Sequence, residues 1–144
     1  MVKFKCTKLI KLLIFVLLLT TIVVGGIYMF NLTKKSEEVH RNREYEISLV
    51  KVLKHSYEGI EEIEIKNPSY SSIPSDAWGA DVKFTFSDGS SKEHVLAYDK
   101  DANKIKIGVY DNEDEEFQNF MDSRRGSTKS RVRVRYSDGS EEEL

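Results

Sequence analysis

Cysteine is almost absent from this chain, which contains one such residue, Cys6, near its amino terminus. A single cysteine cannot form an intramolecular disulfide, so any folded domain of this protein must be held together by packing alone. Cys6 also precedes the long apolar run of the sequence instead of ending it, and that position does not suit a bacterial lipoprotein attachment site.

Sequence motifs for catalysis and cofactor binding are also missing. The histidines, His40, His55 and His94, are too widely scattered for a zinc signature, and neither a glycine-rich phosphate loop nor a G-x-S-x-G elbow occurs. The segment Asp99–Asn103 resembles the start of a calcium loop, but Lys104 stands where such a loop requires glycine. We therefore expect no catalytic residues, no metal site and no cofactor.

Charge is absent from the stretch Leu12 to Thr33. An uncharged apolar helix of this length can cross a hydrocarbon core of roughly 30 Å, so we predict a single transmembrane signal anchor here. The main alternative is a cleavable signal peptide with Val24 and Gly26 before the cut, although such apolar cores usually run only about 7–15 residues. A buried core helix is the third alternative, but this segment is continuous, uncharged and terminal.

The distribution of lysine predicts the orientation of this anchor. Four lysines lie on its short amino-terminal side, whereas the two that follow it are at once opposed by Glu37 and Glu38. Because positive charge is retained in the cytoplasm, we expect the amino terminus inside and the rest of the chain outside. The sequon at Asn31 lies at the membrane face and the one at Asn67 is blocked by proline, which favours a bacterial cell surface.

The charge of the exported part limits its partners. All 24 acidic residues of the chain lie beyond the anchor, together with 18 of the 22 basic ones, so this part carries a net charge of −6. A negative domain repels phosphate backbones and anionic lipid surfaces. We therefore expect no nucleic-acid partner, contact with the bilayer through Leu12–Thr33, and a protein partner outside the cytoplasm.

Periodicity divides the chain beyond the anchor into a helix and a domain. Ser36 can cap a helix over residues 37–57, in which Tyr45, Leu49 and Leu53 recur at helical spacing. Its polar first half suits a stalk, and its second half should pack on the domain. The predicted organisation is a cytoplasmic basic tail at residues 1–11, the anchor at 12–33, a stalk and packing helix at 34–58, and an extracytoplasmic domain at 59–144.

Alternating apolar residues predict β-strands in this domain. Trp78, Val82 and Phe84 belong to the strongest alternating run, and further runs occupy residues 60–66, 91–98, 105–109 and 132–136. Asp111 can cap a second helix. The expected fold class is α+β, with one transmembrane helix followed by a mainly antiparallel sheet, two hairpins and two helices. Residues 67–76 contain both prolines and four serines, so we expect a loop there.

Two similar stretches, FSDGS at residues 86–90 and YSDGS at residues 136–140, predict the register of these hairpins. A three-residue loop with glycine in the left-handed position pairs the first residue of each stretch with its last. Lys83 then lies opposite Glu93, and Arg133 lies opposite Glu143. Each predicted charge pair has opposite signs, which a two-residue loop does not produce.

The candidate binding residues lie in the predicted loop and on a basic face. Tyr70, Ile73 and Trp78 stand on a proline-stiffened segment, and rigid aromatic side chains are typical of protein-binding surfaces. The alternative is that Ile73 and Trp78 cover the core. A secondary candidate is the basic face of Arg131, Arg133 and Arg135, although the predicted register gives the last two arginines acidic partners.

These features favour a membrane-anchored, extracytoplasmic protein-binding module without catalytic activity. Immunity proteins of surface toxins share this architecture, as do accessory subunits of secretion or conjugation machines, but no motif selects between them. A small surface hydrolase is the alternative from another class, and it requires ionisable side chains that converge in a cleft.

Overall fold

The computed structural model describes residues 2–71, 77–108 and 111–144, with side chains from residue 7 onward. Within these ranges the chain forms two helices and six strands, which confirms the α+β class. The predicted anchor and the predicted helix over residues 37–57 are parts of one continuous helix, so Ser36 does not cap a separate helix. The elements are α1 Val2–Ser56, β1 Ile60–Ser71, β2 Ala77–Phe86, β3 Ser91–Asp99, β4 Lys104–Lys106, α2 Asn112–Asp122, β5 Arg133–Arg135 and β6 Glu141–Glu143.

The chain divides into two compact units, Met1–His40 and Arg41–Leu144. The first unit is the amino-terminal part of α1, and its large apolar side chains between Leu12 and Leu32 are 47% to 69% exposed. Among the described residues, α1 is the single helix that is long and apolar enough to be a candidate membrane span or signal sequence.

The second unit is built on one six-stranded mixed sheet with the strand order β4-β3-β2-β1-β5-β6. Four of the neighbouring strand pairs are antiparallel. The pair β1 and β5 is parallel, with Ile63 opposite Val134, and the alternation pattern did not predict this pairing. β5 reaches β1 through the crossover that contains α2, which is the kind of long connection that parallel strands require.

One face of the sheet is buried because β1, β2, β3 and β5 carry apolar side chains on that face. On β2, Trp78, Phe84 and Phe86 are all at most 2% exposed. The carboxyl-terminal part of α1 and the apolar side of α2 cover this face, and α2 contributes Phe117 and Met121. The opposite face carries the intervening polar residues.

Packing along α1 begins earlier than the sequence predicted. The polar stretch around Asn42 and Glu46 was expected to form a stalk, but these two side chains are only 7% and 1% exposed. They lie on the same helical stripe as Leu49 and Leu53, because residues three and four positions apart share a helix face. Buried polar groups require hydrogen-bond partners, and both residues have them.

The predicted loop at residues 67–76 is wrong over its first part. β1 continues to Ser71, with a register irregularity between Lys66 and Ser69 that contains Pro68. Asn67 adopts a positive φ of 50° there, and its amide donates a hydrogen bond to Asp81 at 2.8 Å. Asparagine tolerates this conformation. At the bulge the ladder needs no N–H donor from Pro68, so the strand continues past a residue type that usually ends a strand.

Two other predicted boundaries can be compared with the structure, the end of β4 and the start of α2. The predicted strand over residues 105–109 is observed as β4, which ends at Lys106, and Val109 lies outside the described residues. Asp111 caps α2 as expected, since it accepts a hydrogen bond from the backbone N–H of Asp114 while the Asp114 carboxylate accepts one from the Asp111 N–H. This reciprocal pair is a capping box.

Both hairpin turns have the same hydrogen bonds. The N–H of Phe86 donates to the carbonyl of Ser90 at 2.9 Å, and the N–H of Tyr136 donates to the carbonyl of Ser140 at 2.9 Å. In the two strands that the first turn joins, Lys83 lies opposite Glu93. On the second hairpin the cross-strand charge pairs are Arg133 with Glu143 and Arg135 with Glu141.

An arginine from a distant segment holds each of these turns. Arg124, which follows α2, places its guanidinium 4.3 Å from the ring centroid of Phe86 and 2.6 Å from the Asp88 carboxylate, and it also donates to Ser90. The Ser90 hydroxyl and the Arg124 guanidinium together lower the pKa of Asp88 below its usual range. The first turn is thereby attached to the end of α2.

Arg43 of α1 holds the second turn in the same way. Its guanidinium lies 3.7 Å from the ring centroid of Tyr136 and 2.7 Å from the Asp138 carboxylate, and it donates to the Ser140 hydroxyl. Hydrogen bonds from Ser140 and from Arg43 lower the pKa of Asp138 to about 2. The similar FSDGS and YSDGS sequences thus share a structural device as well as a turn.

Glu46 lies beside this second turn and is the one buried acidic side chain among the described residues. It accepts a hydrogen bond from the backbone N–H of Ser137 at 3.2 Å. Burial nevertheless raises the pKa of Glu46, because the hydrogen bond and the nearby Arg43 only partly offset the loss of water around the charge.

We expect the substitution Glu46→Gln to stabilise the protein at neutral pH, because glutamine keeps an oxygen for Ser137 without burying a charge. A raised folded-state pKa contributes stability below the unfolded value, and that contribution is lost as the pH rises through the folded value. The gain over the parent should therefore be present at about pH 7 and small at about pH 4, in denaturant titrations of both proteins.

The control for this experiment is Glu61→Gln, which changes an exposed glutamate of β1. This substitution should leave the difference between the free energies of unfolding at the two pH values the same as in the parent. If the Glu46→Gln variant is less stable than the parent at neutral pH, the charged form of Glu46 supports the turn.

Candidate functional site

Four aromatic side chains meet at one end of the buried sheet face and form what we call the aromatic cluster: Tyr45, Tyr70, Trp78 and Tyr98. The sheet register places Tyr70 opposite Trp78 and Trp78 opposite Tyr98. Tyr45 of α1 packs over this row, with its ring centroid 5.4 Å from that of Trp78, 6.1 Å from Tyr70 and 6.4 Å from Tyr98. Aromatic pairs at these distances attract one another.

The inner layer of the cluster belongs to the core. Trp78 and Tyr98 are each 2% exposed. The Trp78 indole N–H donates to the side-chain oxygen of Asn42 at 3.1 Å, and the Tyr98 hydroxyl donates to the side-chain oxygen of Asn103 at 2.8 Å. Burial raises the pKa of Tyr98, which keeps its hydroxyl protonated as a donor.

The outer layer of the cluster carries cations. The guanidinium of Arg41 lies 4.2 Å from the ring centroid of Tyr70, and the Lys100 ammonium lies 5.4 Å from that of Tyr45. Both tyrosines are half-buried. Tyrosine and arginine side chains that are rigid and partly exposed are the types that dominate protein-binding hot spots.

The structure places the three primary candidate residues differently from one another. Tyr70 lies in β1 and Trp78 lies in β2, so they are cross-strand neighbours and not members of one loop. Ile73 lies outside the described residues. Trp78 is buried, whereas Tyr70 is partly exposed.

Sequence reasoning missed the contribution of α1 to this site. Tyr45 was recognised only as part of an apolar helical stripe, and Arg41 was assigned to a stalk. No local pattern connects either residue with Tyr70, because the contacts form only when α1 packs on the sheet. The helical spacing of Tyr45 with Leu49 was the available signal that this side of α1 faces the core.

The secondary candidate, the basic face, lies on the opposite side of the sheet. Arg133 lies 3.9 Å from the Glu62 carboxylate, and Arg135 lies 3.6 Å from Glu64 and 2.8 Å from Glu141. Arg131 is exposed beside them. Because these pairs neutralise much of the positive charge, this surface offers less attraction for an anion than its sequence suggests.

His94 and Asp114 are in direct contact, with Nε2 and Oδ1 2.9 Å apart. The His94 ring also stacks on Phe117 with centroids 4.4 Å apart, so the pair joins β3 to α2. A histidine beside a carboxylate can serve as a general base. The cavity at this point, about 260 Å³ in volume, is lined among the described residues by Lys92, Glu93, His94, Glu113, Glu116 and Phe117.

This lining supplies no serine, threonine or cysteine nucleophile from the part of the chain that the structure describes. In the same part of the chain, no group of three or more His, Cys, Asp or Glu side chains is placed to hold a metal ion. The observed contacts of His94 and Asp114 are accounted for by the attachment of α2 to the sheet.

Comparison with known proteins gives no family for this chain: no protein-family model, no curated protein and no solved structure matches it significantly.

Proposed function

We propose that this chain is a single-pass membrane protein that displays residues 41–144 outside the cytoplasm and binds a protein partner there without catalysing a reaction. The observation that carries the binding part is the aromatic cluster with Arg41 and Lys100 on its outer layer. The anchor and the orientation rest on separate features of the amino-terminal segment.

The support for an anchor is the large apolar surface of α1. The side chains between Leu12 and Leu32 expose about half or more of their area to the surroundings, and water disfavours such a surface. Two threonine hydroxyls of this segment are satisfied within the helix, since Thr20 and Thr21 donate to the carbonyls of Leu17 and Leu18 at 2.8 Å. A bilayer requires polar groups to be satisfied in this way.

The orientation is supported by the four lysines that precede the apolar segment. Retention of these charges on the cytoplasmic side translocates the residues that follow the anchor. The second unit is then outside the cytoplasm. It contains no cysteine, and packed apolar side chains form its core.

We expect a protein partner to contact the outer layer of the aromatic cluster. Tyr70 offers a partly exposed ring held in place by Arg41 above it and Tyr45 beside it. Such rigid rings lose little conformational entropy on binding, and truncation of a hot-spot tyrosine typically weakens binding by about 1–2 kcal/mol or more.

The experiment uses the full-length protein in its membrane. A photo-crosslinking amino acid at Lys100, beside the cluster, should capture a protein partner, and the same amino acid at Val95, which is 61% exposed, should not. The affinity of the captured partner for the parent and for Tyr70→Ala is then measured with both proteins in lipid nanodiscs. We expect Tyr70→Ala to weaken binding by about 1–2 kcal/mol.

The matched control is Val95→Ala, which should leave the affinity unchanged. Circular dichroism melting separates a binding effect from unfolding, because Tyr70→Ala should retain a cooperative transition. Equal affinity of the partner for parent and Tyr70→Ala would show that the cluster is structural and that binding occurs elsewhere, with the basic face of Arg131, Arg133 and Arg135 as the next candidate.

A further inference from the structure

Two adjacent cavities form one open groove between α1 and the β3–β4 hairpin. Their volumes are about 560 Å³ and about 240 Å³, and they share Val52, Ser56 and Asn103. We call this feature the basic groove. Its described lining consists of Ser48, Lys51, Val52, His55, Ser56, Tyr57, Tyr98, Lys100, Asn103, Lys104, Ile105, Ile107, Gln118 and Arg125.

The ionisable side chains in this lining are basic residues, apart from two tyrosines. Lys51, His55, Lys100, Lys104 and Arg125 contribute to it, and none of the described aspartates or glutamates does. This contrasts with the exported part of the chain as a whole, which carries a net charge of −6. A concave surface lined by one sign of charge concentrates the electrostatic field and attracts ligands of the opposite sign.

Internal ion pairs leave part of this positive charge available. Lys100 pairs with Glu44 at 3.5 Å, and Arg125 pairs with Asp122 at 2.8 Å. Lys51 makes no ion pair with any residue in the described part of the chain.

The carboxyl-terminal end of α1 accounts for only some of the basic residues in the basic groove. Basic side chains are favoured in the last turn of a helix, where His55 lies, because they complement the helix dipole. Lys100 lies in the turn between β3 and β4, Lys104 begins β4 and Arg125 follows α2, so these three basic residues do not belong to that last turn. Basic side chains from α1, from the β3–β4 hairpin and from the segment after α2 therefore converge on one groove.

The floor of the groove is apolar between the cations. Val52, Ile105 and Ile107 lie there as partly buried side chains that pack against the core. Hydroxyl and amide groups from Ser48, Ser56 and Asn103 add hydrogen-bonding positions, although the Asn103 oxygen already accepts from Tyr98. A small inorganic anion would bind the basic side chains but would leave the apolar floor of the groove exposed to water.

A peptide segment with acidic and apolar side chains matches both kinds of surface. We infer that the basic groove binds a segment of the protein partner in which two or more carboxylates flank apolar residues. Tyr98 and Lys100 connect the groove with the aromatic cluster, because Tyr98 belongs to both and the Lys100 ammonium lies over Tyr45. The inference rests on the proposed function and specifies the chemistry of the partner.

The test uses full-length protein in phosphatidylcholine nanodiscs and a fluorescent octapeptide that contains four glutamates, two leucines and two glycines. Fluorescence anisotropy should show saturable binding to the parent. The same peptide with glutamine in place of glutamate should bind at least about tenfold more weakly, and added salt should weaken binding of the acidic peptide because salt screens exposed charges.

The diagnostic variant is K51E/K100E, which reverses two charges of the groove. We expect it to weaken peptide binding at least about tenfold, since two attractions become repulsions. The matched control K83E/K106E makes the same change in net charge at exposed positions that do not line the groove, and it should retain binding within about twofold. Melting curves establish that both variants remain folded.

Other outcomes overturn the inference. Equal loss of binding in K51E/K100E and K83E/K106E would show a net-charge effect without a site. Complete displacement of the peptide by inorganic phosphate at millimolar concentration, or equal binding of the glutamine peptide, would show that the groove does not recognise an acidic segment. Co-sedimentation of the full-length protein in its nanodiscs with phosphatidylglycerol vesicles, lost in K51E/K100E, would assign the groove to lipid headgroups.

This test and the test of the proposed function fail in different ways. If the acidic peptide does not bind but Tyr70→Ala still weakens the captured partner, the basic groove has no role and the binding function stands. If the peptide binds through Lys51 and Lys100 but no partner contacts the cluster, the groove is a site and the proposed partner surface is wrong.

Discussion

Replacing Trp78 by alanine is expected to destabilise the second unit by about 3–5 kcal/mol, which is the usual cost of removing a large aromatic side chain from a core. Trp78 is 2% exposed, stacks on Tyr45 at 5.4 Å and lies between Tyr70 and Tyr98 in the sheet. Its removal therefore leaves a cavity beneath the aromatic cluster. Domains of this size have a total stability of about 5–15 kcal/mol, so the loss should be a large part of it.

The variant Trp78→Phe separates the ring from its hydrogen bond. Phenylalanine keeps an aromatic ring beside Tyr45 but leaves the buried oxygen of Asn42 without its indole donor. We expect a smaller loss of about 1–3 kcal/mol for an unsatisfied buried acceptor together with the reduced ring volume. Guanidinium titrations of the full-length protein in nanodiscs measure both values. A loss below about 1 kcal/mol for Trp78→Ala would show that the residue is not part of the core.

The local features of this fold could be predicted from the sequence because they depend on neighbouring residues. Alternation through Trp78, Val82 and Phe84 indicates one buried face of a strand, and Asp111 before an acidic turn indicates a helix start. The turn sequences at residues 86–90 and 136–140 require a three-residue loop. That loop length leads directly to the cross-strand pairs of each hairpin.

Contacts between distant segments could not be predicted in this way. The parallel pairing of β1 with β5, and the attachment of Arg43 to Asp138, depend on how complete elements pack. Pro68 indicated a loop because proline usually interrupts a strand, whereas the observed bulge accommodates it. For the same reason the candidate site was only partly anticipated. Tyr70 was recognised from the composition of the segment around it, but Arg41, which stacks on Tyr70, was not recognised.

The second large effect concerns the side of the membrane on which each end of the chain lies. Four lysines before the apolar segment predict that Cys6 is cytoplasmic and that residues 41–144 are outside. The chain provides its own probe, because Cys6 is its single cysteine and Ser127 is an exposed position at which a second label can be placed. A cleaved signal peptide would remove Cys6 from the mature protein.

The decisive measurement is labelling of cells with a membrane-impermeant maleimide before and after permeabilisation. The parent protein should be labelled at Cys6 only after permeabilisation, and the variant C6S/S127C should be labelled in intact cells. Labelling of the parent in intact cells, together with protection of C6S/S127C, would contradict the orientation and the external binding function. A parent protein that remains unlabelled even after permeabilisation would contradict the anchor, because Cys6 would then have been removed with a signal peptide.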